Sequence, residues 1–350
     1  MKIDDLIKQC CEWLKGTGPH ANILLSSRIR IARNLDKVRF VHWASKKESK
    51  NTLETIESAI RDSNYMKGSL ILNMTELSEL DSQFLVERNL ISKEHLINPE
   101  YKGVGISQKE VVSIMINEED HLRIQVMQSG FNLMECWRIA RQIEDELSKN
   151  LKFAFMDELG YLTACPTNTG TGLRASVMLH LPALAMTRQI PKILQAITKL
   201  GLTARGLYGE GTEAQGNFFQ VSNQITLGPS EEDIIDNIER IIRQILSHEE
   251  AARKSILKQS KDALQDKIFR ADGILKRAHI ITSSETIELL SMVRLGIDLG
   301  FIKDIDRRAV NELFIITQPA HLQKIEGRNL ATAQRDIKRA ELIRRVLEGK

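Results

Sequence analysis

Four arginines are placed where they could hold a polyphosphate. Arg28 and Arg30 alternate along Ser26–Arg33, an extended stretch, so both side chains leave the same side of the chain. Arg123 follows a run of carboxylates, and Arg174 follows a glycine loop. A guanidinium is a planar fork that binds phosphate oxygens two at a time, and several converging on one point would clamp a chain of phosphates. Taken singly, each is also consistent with an ordinary surface arginine. The turn Asn117–Asp120 carries Glu118, Glu119 and Asp120, which suit a metal, a base or simple solvation. Gly209–Glu213 is a second acidic turn, whose glycines let backbone approach a ligand closely. The segment Cys165–Met178 combines a cysteine, a proline, two glycines and Arg174. By itself it leaves Cys165 open as a nucleophile, a redox thiol, a metal ligand or none of these. Neither a P-loop nor a kinase-type glycine loop is present, so any nucleotide must be held by arginines and loop backbone.

These residues need a scaffold, and 350 residues suffice for one large core or two domains. With 42% hydrophobic and 27% charged residues, the chain reads as an ordinary soluble globular protein. Cys10, Cys11, Cys136 and Cys165 form neither a metal knuckle nor a disulfide framework. No secretion signal or bilayer-length apolar run is found, so a cytoplasmic protein with reduced thiols is expected. The net charge of +3 is unevenly spread. Residues 251–350 hold 20 Lys+Arg against 13 Asp+Glu, while the rest hold 29 against 33. A basic module therefore follows a slightly acidic body, which fits a solvated helical surface or an anionic partner.

Periodicity predicts a helix over 4–14, a strand over 22–25 that leads into the extended stretch Ser26–Arg33, helices over 45–63 and 80–91, and a strand over 69–72. Strands over 111–116 and 121–126 make a hairpin around the acidic turn, followed by a helix over 132–150. A second hairpin is expected from 153–155 and 160–163, then strands at 175–181, 202–205, 217–221 and 224–227, with a helix over 189–200. From Ser230 the pattern turns helical: to about 260, then 262–279, 284–295, 304–317 and 329–348. The fold class is α+β, an antiparallel sheet flanked by helices, followed by an all-helical region. The change of pattern and charge places a boundary near 250–260, giving a body of 1–254 and a helical unit of 255–350. Trp13, Trp43 and Trp137 read as core or interface residues, His121 as a packing residue and the Ile/Leu stripe at 234–246 as core.

Taken together, five motifs in order resemble the ATP:guanidino phosphotransferases, the phosphagen kinases. They are Ser26–Arg30, Asn117–Arg123, Cys165–Thr171, Arg174–Val177, and Gly209–Glu213 followed by Ser222 and Asn223. The resemblance spans roughly residues 20–250. It implies a phosphagen-kinase-like catalytic domain that uses ATP with Mg2+, the metal held mainly through the nucleotide phosphates and not by a protein cage. It implies catalytic roles for Glu118, Glu213, Cys165, Arg123 and Arg174. Glu118 and Glu213 would flank a guanidinium, and Cys165 would lie against it without forming a covalent bond. ATP contacts are implied for Ser26, Ser27, Arg28, Ile29, Arg30, Arg123 and Arg174–Met178 (including Ala175, Ser176 and Val177), and for Arg205, Gly206, Leu207, Tyr208, Gly209 and Glu210. The chemistry suits these types. A free guanidinium has a pKa of roughly 12.5–13.8, so freeing a nitrogen lone pair at neutral pH costs about 8 kcal/mol. Carboxylates on both sides can orient the group and take its proton as the bond forms, while arginines stabilise the transferring phosphoryl.

Departures from that pattern narrow the expectation. The small helical domain that precedes the Ser-Ser-Arg motif in creatine and arginine kinases has no counterpart in the roughly 25 residues here, which predicts a more open site. Tyr208 stands where another phosphate-contacting arginine is usual, and Asn89 where a nucleotide-contacting histidine is common. The basic helical region has no counterpart in the small-molecule kinases. This combination resembles the bacterial protein-arginine kinases, whose substrate is an arginine side chain of a protein. Arg335, Asp336, Ile337, Lys338, Arg339 and Ala340 match their RDxxRA phosphoarginine pocket, and Arg335 and Arg339 share a helix face. The resemblance implies stress-response and quality-control roles, a homodimer, no membrane and no required nucleic acid. It implies the activator McsA, the repressor CtsR and the ClpC–ClpP protease as partners. The competing readings are a small-molecule guanidino kinase and an inactive phosphoarginine-binding adaptor.

Overall fold

The central strand β1 (Leu24–Arg33) sorts its residues by alternation. Ile29 and Ile31 are fully buried on one face, while Arg28 and Arg30 leave from the other. The computed structural model describes residues 2–206 and 214–349. After β1 come α1 (Lys46–Asp62), β2 (Leu70–Asn73), α2 (Glu79–Glu87), β3 (Gly103–Ile106), β4 (Val112–Ile116), β5 (Leu122–Ser129) and α3 (Leu133–Leu147). A small hairpin of β6 (Phe155–Met156) and β7 (Gly160–Tyr161) precedes β8 (Leu173–His180), α4 (Pro182–Met186), α5 (Ile190–Lys199), β9 (Leu202–Gly206) and β10 (Phe218–Asn223). Eight strands form one sheet in the order β2-β3-β4-β5-β1-β8-β10-β9, with antiparallel neighbours throughout.

The helices that follow are α6 (Glu231–Gln259), α7 (Lys261–Arg277), α8 (Ser283–Asp298), α9 (Arg307–Ile316), α10 (Pro319–Glu326) and α11 (Thr332–Leu347). Helix α6 opens with a capping box between Ser230 and Asp233 and runs past residue 254. Its stripe of Ile234, Ile235, Ile238, Ile241, Ile242, Ile245 and Leu246 packs with α1, α3 and the isoleucine face of the sheet into the main core. A second core joins α7, α8, α9 and α11 to Trp13, Leu25, Met127 and Phe218. Buried Arg294 of α8 donates to the carbonyls of Ala21 (2.6 Å) and Asn22 (3.3 Å), fastening the helical region to the chain entering β1. Among the described residues, no helix is long and apolar enough to cross a membrane.

Several boundaries differ from the sequence expectation, each for a packing reason. Residues 4–14 form two short 3-10 helices, Ile3–Lys8 and Glu12–Leu14, not one α-helix. Leu6 packs with α2, whereas Trp13 and Leu14 pack with the C-terminal helices, so the segment bends between two cores. Residues 224–227 make no strand, because Asn223 caps the Ile225 carbonyl and Thr226 turns to the glycine loop. Strand β3 has no clear sequence signal because two of its four residues are glycine. A Cβ at Gly103 would sit 2.8 Å from the Leu53 side chain of α1, so glycine lets that helix pack closely on the strand. Helix α10 begins at Pro319, a good first helical residue, and separates α9 from the final helix. Trp13 and Trp137 are buried, but Trp43 is 79% exposed and belongs to no core.

Candidate active site

Sheet register brings the arginines together. Arg30 and Arg174 are direct partners across β1 and β8; Arg28 stands opposite Ser176, and Ala32 opposite Arg123. Like charges directly opposite one another repel, so this sheet face is set up to receive an anion. Burial first, then Arg123 and Arg174, pushes the Arg28 pKa down to about 10. Burial and the neighbouring Arg28, Arg123 and Arg174 hold Arg30 well below its ordinary value, with Glu118 opposing them. Arg174 is lowered by burial and then by Arg205 and Arg123, so Arg205 on β9 is a fifth member. Arg28 is steadied by Gln220 Oε1 at 2.9 Å and Ser176 Oγ at 3.3 Å. Buried Arg30 Nε has no hydrogen-bond partner among the described residues.

The acidic turn between β4 and β5 aims its carboxylates differently. Asn117 adopts a positive φ of 56°, and its side-chain amide donates to the carbonyls of Ser49 and Tyr101. That anchor turns Glu118 inward, where it is 7% exposed. Ser92 Oγ donates to Glu118 Oε1 at 2.6 Å. Arg123 Nη1 lies 2.5 Å from Glu118 Oε2, a charge contact that leaves Oε2 without an aligned hydrogen bond. Arg123 Nη2 donates to Glu119 at 2.9 Å. A cavity of about 720 Å³ opens beside these groups, lined also by Lys102 and Glu94. His121 has the expected packing role: Nδ1 accepts from the Leu35 amide, so Nε2 carries the proton and donates to the Arg39 carbonyl.

The glycine loop is held by Asp120, a residue that sequence reading grouped with the solvated turn. One buried Asp120 oxygen accepts from the Ala164 amide at 2.7 Å and from Asn34 Nδ2 at 2.6 Å, fixing the residue next to Cys165. Gly170 has φ 110°, and a Cβ there would meet the Thr226 carbonyl at 2.2 Å, so glycine is required for the loop to fold back. Cys165 is half-buried, with Sγ 3.0 Å from Thr167 Oγ1. It lies near enough to Arg174 to bias that guanidinium toward its charged form.

The remaining nucleotide candidates divide. Ser26, Arg28, Ser176, Val177 and Met178 line one small cleft with Trp13 and Asn89. Ser27 faces the opposite side, accepting from the Asn132 amide at the start of α3, and Ile29 and Ala175 lie in the main core. Gly206 ends β9. Leu207, Tyr208, Gly209, Glu210 and Glu213 lie outside the described residues. In α11, Arg339 is buried and donates to the carbonyls of Thr317 and Ile281 and to Asp336, while Ala340 joins the second core. Arg335 stays half-buried on Leu330 O and Thr332, Lys338 pairs with Glu341, and Ile337 is exposed. Ser92 had no sequence signal, since it lies in an irregular segment far along the chain from Glu118.

Residues 50–252 match the family model of the ATP:guanido phosphotransferase C-terminal catalytic domain, and residues 261–350 match that of the protein-arginine kinase McsB C-terminal domain. A protein-arginine kinase of Desulforamulus reducens is 50% identical over 97% of this chain and 96% of its own. The chain belongs to the protein-arginine kinase family. A protein-arginine kinase of Bacillus subtilis is 46% identical over 95% of this chain and 92% of its own. The ATP:guanido phosphotransferase match makes the chain an ATP-dependent phosphotransferase of the guanidino class. Among solved structures, the substrate-free duplicated taurocyamine kinase of Schistosoma mansoni aligns with TM-score 0.61 and 26% identity, over 81% of this chain and 44% of that one. Lombricine kinase shares the fold, with TM-score 0.59 and 24% identity over 72% of this chain and 76% of that one.

Proposed function

We propose that this protein-arginine kinase family member transfers the γ-phosphoryl group of ATP to arginine side chains of proteins. The observation that carries the reading is the convergence of Arg28, Arg30, Arg123 and Arg174 beside the inward-turned carboxylate of Glu118. Arg28, Arg30 and Arg174 bind the phosphates, and their mutual repulsion is relieved when the anion arrives. The substrate guanidinium enters the cavity beside Glu118 and takes Oε2, displacing Arg123 toward the phosphoryl. Glu118, with Glu213 as its partner by kinship with the guanidino phosphotransferases, orients the guanidinium and accepts a proton as the N–P bond forms and the bond to the leaving ADP oxygen breaks. Cys165 lies against the guanidinium and acts through its electrostatic environment. The protein donors around the phosphates are guanidinium groups, which cannot ligate a metal. They therefore fit a Mg2+ held through phosphate oxygens, where it would neutralise developing charge.

Residues 255–350 serve as the regulatory and dimerisation unit. Arg335, Asp336 and Lys338 form the accessible part of a phosphoarginine pocket, with Arg339 as its buried support. The cytoplasm, a homodimer, McsA, CtsR and the ClpC–ClpP protease complete the reading by kinship with the protein-arginine kinases. The test uses γ-labelled ATP and Mg2+ with an arginine-rich protein and, separately, with free arginine. Acid-labile label on the protein alone supports the reading. Label on free arginine alone would make this a metabolite kinase.

A further inference from the structure

We propose that Ser92 is a positioning residue for phosphoryl transfer, its hydroxyl holding the Glu118 carboxylate while the substrate guanidinium replaces Arg123. The inference rests on the protein-arginine kinase reading and names a residue that none of the family motifs contains. Ser92 Oγ accepts from the His95 amide at 3.1 Å, so its single hydrogen is free to donate to Glu118 Oε1, 2.6 Å away. Glu118 has three other charged neighbours to consider, of which Arg30 acts on it through charge, with no hydrogen bond between them among the described residues. Arg123 engages Oε2, the oxygen an incoming guanidinium must take. Lys102 lines the same cavity, but its Nζ is bound to the carbonyls of Ile97 and Glu94. Once Arg123 is displaced, the Ser92 hydroxyl still holds Oε1 of the carboxylate by a directed hydrogen bond.

The segment carrying Ser92 is itself held firmly. Glu87 accepts from the amides of Ala320 and His321 at the start of α10, at 2.8 and 2.9 Å. Arg88 is buried, donating to Glu110 Oε2 at 2.7 Å and to the Gln9 carbonyl at 3.1 Å. Asn89 adopts a φ of 59°, and its carbonyl accepts from Gln125 on β5 at 2.6 Å. Leu90 and Ile91 are buried with α2. The hydroxyl is thus presented from a fixed backbone, and its precision is drawn from α10, outside the catalytic sheet.

The experiment compares wild type, Ser92→Ala and Ser92→Thr full-length chains by steady-state labelling of an arginine-rich protein with γ-labelled ATP and Mg2+. Ser92→Ala should lower kcat about 10- to 100-fold, the range of one hydrogen bond to a charged group, with KM for ATP within about twofold of wild type. Ser92→Thr, which keeps the hydroxyl, should recover most of kcat. An unchanged kcat in Ser92→Ala overturns the proposal. So does a loss that Thr does not restore, or one matched by a rise in KM for ATP, since either marks a merely structural role. Absence of label with wild type would instead sink the underlying kinase reading, a result distinct from an active Ser92→Ala enzyme.

Discussion

Arg123 bridges two carboxylates of one turn, reaching Glu118 with Nη1 at 2.5 Å and Glu119 with Nη2 at 2.9 Å. Both contacts use the planar fork of the guanidinium. A lysine offers one compact charge and cannot span both oxygens while also meeting a phosphate. Arg123→Lys should therefore lower kcat by about 100-fold or more, whereas Glu119→Gln, which removes only the outer contact, should cost about tenfold or less. Initial-rate labelling of a protein substrate checks the order of the two effects.

Arg28 is held between Gln220 and Ser176 inside a cluster of like charges. Its removal should weaken ATP binding about 10- to 100-fold, as expected for losing one charge-assisted contact. The remaining arginines would then repel one another less. Calorimetric titration of nucleotide into wild type and Arg28→Ala measures the difference. Wild-type affinity should also fall as salt is raised.

Arg335 and Arg339 occupy one helix face but have different structural burdens. Arg339 satisfies two buried backbone carbonyls and Asp336, so Arg339→Ala should cost about 2–4 kcal/mol of stability. Arg335 is half-buried at the surface, and Arg335→Ala should change stability by less than about 1 kcal/mol. Urea unfolding separates the two. A regulatory effect of phosphoarginine should be read from the Arg335 variant, whose fold is intact.

Acid should destabilise the protein through buried neutral histidines. Burial, with help from Lys102, pushes His95 down to about 3, and burial also lowers His121 and His180. In unfolded chains these groups titrate near 6.5, so between about 6.5 and the folded values the unfolded state binds more protons. Stability is full above about 6.5 and falls with pH through that window. His95 alone contributes a slope of up to about 1.4 kcal/mol per unit. Urea midpoints at pH 7.5 and 5.5 should differ accordingly. His95→Gln, which keeps a polar group for the Gly103 carbonyl, should flatten the dependence.

The arginine cluster was legible because alternation along β1 dictates a shared face, and the hairpin around Glu118 because its flanking strands are strongly β-like. Register, which makes Arg30 and Arg174 direct partners, is decided by strand pairing over a long sequence separation and has no local signature. The same limit hid Ser92, whose role depends on a fold that returns an irregular segment to the β4–β5 turn. Asp120 was visible as a carboxylate, but its task of holding Ala164 was not, since only tertiary structure distinguishes a buried acceptor from a solvated one. In α11 the spacing of Arg335 and Arg339 was readable, whereas the burial of Arg339 follows from its bonds to the end of α9 and to the turn leading into α8.

The central claim is that Glu118 acts on the guanidinium rather than on the nucleotide. Glu118→Gln keeps the size of the side chain and an oxygen for Ser92, but removes the charge and the capacity to take a proton. Nucleotide binding and protein labelling should be measured on the same preparation, with γ-labelled ATP, Mg2+ and an arginine-rich protein. The expected result is ATP affinity within about threefold of wild type with acid-labile labelling reduced by about 1,000-fold or more. Labelling at the wild-type rate in Glu118→Gln would contradict the account and move the search for the base elsewhere in the cavity.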